Sequence, residues 1–119
     1  MSTEWFIGFV DCAIHHTYNL ASAAWVIYSP SGQVVASDGT WLGPATNNVA
    51  EYRAVIELLW DAALRGITRL EVRLDSQLVV SQLNGDYQVQ NPTLLRSFLL
   101  AILLKRNFEY ISFHHSPRN

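Results

Sequence analysis

The sequence predicts an α/β domain with elements in the order βββαβααβ. Three observations carry this prediction. Residues 4–42 hold three β-type segments separated by turn chemistry. A strand–helix–strand unit from 34 to 75 favours parallel strands in one sheet with helices packed on its faces. Half of the 119 residues are hydrophobic, enough for the core of one domain over 1–119.

"EWFIGFVDCAI" (4–14) is rich in aromatic and β-branched residues and reads as a buried strand. "ASAAWVIYS" (21–29) is a second strand. "PSGQ" (30–33) supplies a turn, and "VVASDGTWL" (34–42) completes a hairpin. "GPATNN" (43–48) is a loop ending in helix-cap residues. A helix then runs to Arg65, with Val55, Leu58, Leu59 and Ala62 on one face and Gly66 as its stop. "TRLEVRLD" (68–75) alternates as a strand. Ser76 caps a short helix that ends at Gly85, and Pro92 opens a helix running to about Arg106. "FEYISFHH" (108–115) is the last strand. The helix over 92–106 is apolar on more than one face. Deep packing on the sheet is the preferred explanation, which makes the protein a monomer; dimerisation through 92–106 is the alternative.

Composition excludes several classes. Cys12 is the only cysteine, so neither an internal disulfide nor a cysteine zinc cluster can form. A lone thiol suits a reducing, cytoplasmic compartment. The N-terminus has no basic start and no small-residue cleavage site, and so does not read as a signal peptide. The apolar run 94–104 is broken by Arg96 and is far short of the roughly 20 residues that span a bilayer. Eight Lys and Arg against ten Asp and Glu, a net charge of −2, argue against avid non-specific binding of nucleic acid.

Three acids interrupt apolar patterns. Asp11 is expected to end the first strand, sharing a face with Trp5, Ile7 and Phe9. Asp75 ends the strand 68–75. On parallel neighbours both would lie at the carboxyl edge of the sheet, where open α/β sheets bind ligands. Glu51 shares the helix stripe of Val55, Leu58 and Ala62, in the first turn. Three carboxylates at one spot repel one another, and hard divalent cations relieve that repulsion. Each acid also has a plainer explanation. Asp11 could form a turn, Glu51 could complete a capping box from Asn48, and Asp75 could cap the next helix. Periodicity does not decide between these.

"FVDCA" (9–13), "TNNVAEYRAV" (46–55) and "LDSQLVV" (74–80) together resemble the type 1 ribonucleases H, most closely the short plant-like and archaeal-like members. The resemblance covers residues 5–118. It implies a five-stranded mixed sheet of order 3-2-1-4-5 with helices on both faces, and hydrolysis of the RNA strand of RNA–DNA hybrids. It also implies two Mg²⁺ ions, replaceable by Mn²⁺, held by Asp11, Glu51 and Asp75. Asn47, Asn48 and Gln77 match positions that read the hybrid's minor groove, a task for amides that can both donate and accept. Thr46 matches a phosphate-binding position on the DNA strand.

This sequence departs from the family pattern at three places. Cys12 replaces the usual glycine beside the substrate and is expected to be small and buried. The basic helix and loop of many bacterial members is absent from "NGDYQVQNP" (84–92), which predicts weaker hybrid binding. "HHSPRN" (114–119) resembles the family's histidine loop, placing His115 as a proton shuttle for product release, with no fourth acid after it. Either the family's final helix and its acid are cut away, or the protein is natively compact; in the second case Asn119 is the expected stand-in for that acid as catalytic residue and metal ligand, the alternative being a frayed terminus. His15 and His16 are expected in a solvated turn. The alternatives are a non-catalytic hybrid-binding or interaction domain, or another nuclease of the superfamily.

Overall fold

The computed structural model describes residues 4–117. Their strands form one five-stranded sheet in the order β3-β2-β1-β4-β5. β1 (Phe6–His15), β2 (Leu20–Tyr28) and β3 (Val34–Leu42) are an antiparallel meander. β4 (Arg69–Leu74) runs parallel to β1, and β5 (Tyr110–His115) parallel to β4. The helices are α1 (Asn47–Leu64), α2 (Gln77–Leu83) and α3 (Pro92–Lys105).

Local chemistry places the boundaries. Thr46 caps α1 by accepting from the Val49 amide, and Gly66 follows the helix with a φ of +76°. Ser76 caps α2 through the Val79 amide. Asn91 caps α3 through the Thr93 and Leu94 amides, ahead of Pro92 at the helix start. One short element escaped the pattern: a single 3-10 turn, His16–Tyr18, closed by Asn19 at a φ of 51°. Asparagine tolerates this left-handed conformation because its short side chain bonds locally.

Alternation splits the sheet into two unlike faces. Val10 and Cys12, Ala21 to Ile27 on odd positions, and Leu70, Val72 and Leu74 are buried on one side. α1 packs there on β1 and β2, α3 packs on α1, and α2 meets β5. The resemblance implies helices on both faces; among the described residues they cover one. The reason is topological. The connections β3-α1-β4 and β4-α2-α3-β5 cross the sheet in the same direction, and right-handed crossovers then put both on the same side. The opposite face carries Ile7, Phe9, Asp11, Val26, Tyr28 and Arg73, all partly or fully exposed.

The α1 interface is tight. A Cβ on Gly8 would sit 2.7 Å from a methyl of the fully buried Leu58. Trp25 Nε1 donates to Asp61 at 2.9 Å, and the buried Tyr52 hydroxyl donates to Gln82 Oε1 at 2.7 Å, tying α1 to α2. Tyr52→Phe leaves that amide oxygen unsatisfied and is expected to cost about 1–3 kcal/mol in urea unfolding.

Deep packing of α3 is corrected by the structure. α3 buries Leu94 and Ala101, whereas Leu95, Leu99, Leu100 and Leu103 are 39–55% exposed. It rests on α1 and not on the sheet, so only one stripe of its apolar surface is covered.

Candidate active site

Asp11 does not end its strand. β1 continues to His15, paired with β2 throughout, while its parallel ladder with β4 stops at Phe9 opposite Arg73. Asp11 therefore lies beyond the end of β4 yet on a rigid strand, facing the uncovered side of the sheet. Asp75 directly follows β4. The two aspartates line one open cleft of about 280 Å³ with Phe9, Arg73, Ser116 and Pro117.

Glu51 approaches from the helix side. It is 2% exposed, and its stripe partners Val55, Leu58 and Ala62 are buried with it. The thiol of Cys12 donates to Glu51 Oε2 at 3.1 Å and lies 3.4 Å from Asn47 Oδ1. Among the described residues, Glu51 Oε1 is buried with no hydrogen-bond partner. Burial pushes the Glu51 carboxyl above its ordinary value. The charge of Asp75 adds to the rise, against lowering by the Cys12 thiol and the Asp75 main chain. Asp11, Glu51 and Asp75 thus reach one edge of the sheet. Among the described residues, however, no three His, Cys, Asp or Glu side chains form a ready metal cluster. Two acids face the cleft, and the third lies on the helix side with its Oε2 bonded to the Cys12 thiol.

The plainer explanations of these acids fail individually. Asp11 is inside a strand and forms no turn. The α1 cap is Thr46, not Asn48, so Glu51 is not the partner of a capping box. The α2 cap is Ser76, not Asp75. All the donors are hard carboxylate oxygens, and one buried oxygen has no partner. That set fits divalent cations such as Mg²⁺.

The other predicted residues gather at the same edge. Asn47 opens α1 and is exposed. Asn48 Oδ1 accepts from Ser76 Oγ at 3.3 Å, linking the starts of α1 and α2. Gln77 is exposed, with its amide donating to Ser81 at 3.0 Å. The Thr46 hydroxyl is engaged in the α1 cap. His115 is exposed and pairs with the Asp75 carbonyl at 3.2 Å, so that ring nitrogen carries the proton. His114 instead pairs with Ser112 Oγ at 2.9 Å on the other face. Asn119 lies outside the described residues.

Cys12 is buried as expected, but its side chain points at Glu51 and not toward the cleft. Burial, reinforced by the negative charges of Glu51 and Asp75, pushes its thiol up to about 12. Native protein at pH 8 is therefore expected to resist iodoacetamide, and to become alkylated only on unfolding; mass spectrometry reads the difference. The sequence reading missed two residues. His15 belongs to β1 and not to a solvated turn, and its ring meets that of Trp41 at 5.0 Å. The available signal was the extension of apolar alternation through Ile14.

A 3-2-1-4-5 mixed sheet, with acids at the carboxyl edge of its two central parallel strands and a third on the crossing helix, defines a ribonuclease H-like domain. The chain belongs to the reverse transcriptase-like family, whose model matches residues 9–119. It is 43% identical over 98 residues to ribonuclease HI of Halobacterium salinarum, covering 82% of this chain and 49% of that protein. The chain therefore spans about half the length of that relative. The crystal structure of ribonuclease H1 from the same archaeon superposes with a TM-score of 0.89 at 38% identity, covering 96% of this chain and 86% of that one. LC11 ribonuclease H1, solved in complex with an RNA/DNA hybrid, gives a TM-score of 0.87 at 32% identity, over 95% of this chain and 86% of that one.

Proposed function

We propose that this chain is a metal-dependent endonuclease that hydrolyses the RNA strand of RNA–DNA hybrids. One observation carries the reading. Asp11 and Asp75 line a single open cleft, with Glu51 behind them, and none of the three performs the structural task that would otherwise explain it. The named activity of the relatives supports it.

Asp11, Asp75 and Glu51 would hold two Mg²⁺ ions, or Mn²⁺ in their place. Such ions activate a water and stabilise the leaving oxygen in phosphodiester hydrolysis. The chain's own part is positional. β1 holds Asp11 on a rigid strand, Asp75 directly follows β4, and α1 brings Glu51 one turn in from the exposed amide of Asn47. Asn47 and Gln77 present donors and acceptors suited to base edges and 2′-hydroxyls, which separate RNA from DNA. His115, donating one ring proton to the Asp75 carbonyl, holds its other nitrogen for proton exchange as product leaves. Asn119 remains the proposed fourth ligand. The thiol of Cys12 suits action in a reducing compartment such as the cytoplasm.

The direct test is incubation with an end-labelled hybrid and either Mg²⁺ or Mn²⁺. Cleavage confined to the RNA strand is expected. No cleavage with either metal would leave a non-catalytic hybrid-binding domain as the better reading.

A further inference from the structure

The uncovered sheet face holds a feature that the catalytic reading does not use. Trp41, on edge strand β3, is 66% exposed. Its ring centroid lies 5.0 Å from that of His15, at an interplanar angle of 55°. The two residues belong to strands separated by β2, so their rings reach toward each other across that strand. His15 Nε2 pairs with Ser22 Oγ at 3.2 Å, which fixes the ring from below.

Pairing in the sheet ties this platform to the catalytic edge. Ser22 is opposite Ala13 on one side and Trp41 on the other. The neighbouring rung places Ala24 opposite both Asp11 and Gly39. Residues directly opposite share a face, so Asp11 and Trp41 look out on the same side. Strand rise and spacing put their Cα atoms about 12 Å apart. The floor between them, Ala13, Ser22, Ala24 and Gly39, is made of small residues that let a strand lie close to the sheet.

Trp41 contributes nothing to the packed clusters, which its neighbour Leu42 joins. A large ring held in water beside a nucleic-acid site is suited to stacking on a base. Inside a duplex both faces of each base are already covered, so only an unpaired base can use it. Stacking also supplies affinity that does not depend on charge, in a chain whose net charge is −2.

We propose that Trp41, backed by His15 and Ser22, stacks an unpaired nucleobase of a strand leaving the hybrid, so that the chain favours hybrids bordered by single-stranded nucleic acid. This rests on the nuclease reading above. The test measures binding by the full chain carrying Asp75→Asn, in Mg²⁺, to a blunt hybrid and to the same hybrid with a short RNA or a short DNA overhang. One overhung form is expected to bind about tenfold more tightly than the blunt one, and the arm that gains identifies the strand. Adding Trp41→Ala should remove that gain, and Trp41→Phe should largely keep it, with unchanged melting temperatures. Equal affinity for blunt and overhung hybrids, a gain that survives Trp41→Ala, or no binding to any hybrid would each overturn the proposal. If the wild-type chain binds hybrids but does not cut them, only the catalytic reading falls, because this comparison needs no turnover.

Discussion

Asp75→Asn is expected to reduce hybrid cleavage by at least roughly 10²-fold, the usual loss when one group stabilising transition-state charge is removed. The fold should survive. Asp75 follows β4 and leaves helix capping to Ser76, so its carboxylate has no cap to lose. Its charge also opposes ionisation of both Glu51 and Cys12. Neutralising it relieves that repulsion, and the melting temperature should equal or exceed that of the wild type when no divalent cation is present. Loss of activity together with a markedly lower melting temperature would instead make Asp75 structural. Retained activity would remove it from the catalytic set.

Glu51→Gln should separate the cost of the site from its use. The Glu51 carboxyl is held above its ordinary value of 4.5, chiefly by burial, so the fold favours the protonated form. That contribution is complete below the unfolded value and is lost as pH rises through the folded one. At pH 8 without cations the wild type therefore bears a cost for burying a carboxyl that the unfolded chain ionises freely. The amide, still able to accept from Cys12, should be more stable by about 1–2 kcal/mol. The advantage should shrink toward pH 4. Adding Mg²⁺ should reverse the comparison, since a ligand at about 100 times its dissociation constant stabilises by about 2.7 kcal/mol and the variant lacks a ligand group. Urea unfolding at the two pH values, with and without Mg²⁺, reads all of this. A variant no more stable than the wild type at pH 8 would show that the unpartnered Glu51 Oε1 costs the fold little.

Both predictions concern acids that stand out in the amino-acid sequence alone. The pattern that exposed them was interruption, a charge where a buried or half-buried stripe should continue. Glu51 was legible because its stripe partners at 55, 58 and 62 are apolar, and all of them are buried. β3, α3 and the boundaries near Pro92 and Gly66 were legible for a related reason, since periodicity and capping chemistry act within a few residues. The end of β1 was not. Its last residues are held by pairing with β2, a contact with residues that lie beyond the turn and carry no local signal. The surface of α3 was illegible as well. Apolar content says that a face can be buried, but what it meets depends on whether the sheet or α1 lies beneath it.

The sequence by itself determined the order of elements and the mixed sheet, because alternation, helical stripes and caps are written locally; the three acids stood out as interruptions, and only the motifs around them suggested a shared role. The tertiary structure decided which side of the sheet each acid serves. Parallel pairing halts at Phe9 while antiparallel pairing runs on to His15, and this leaves Asp11 facing a cleft with Asp75. Same-handed crossovers place α1 on the other face, and Glu51 comes to rest there against the thiol of Cys12.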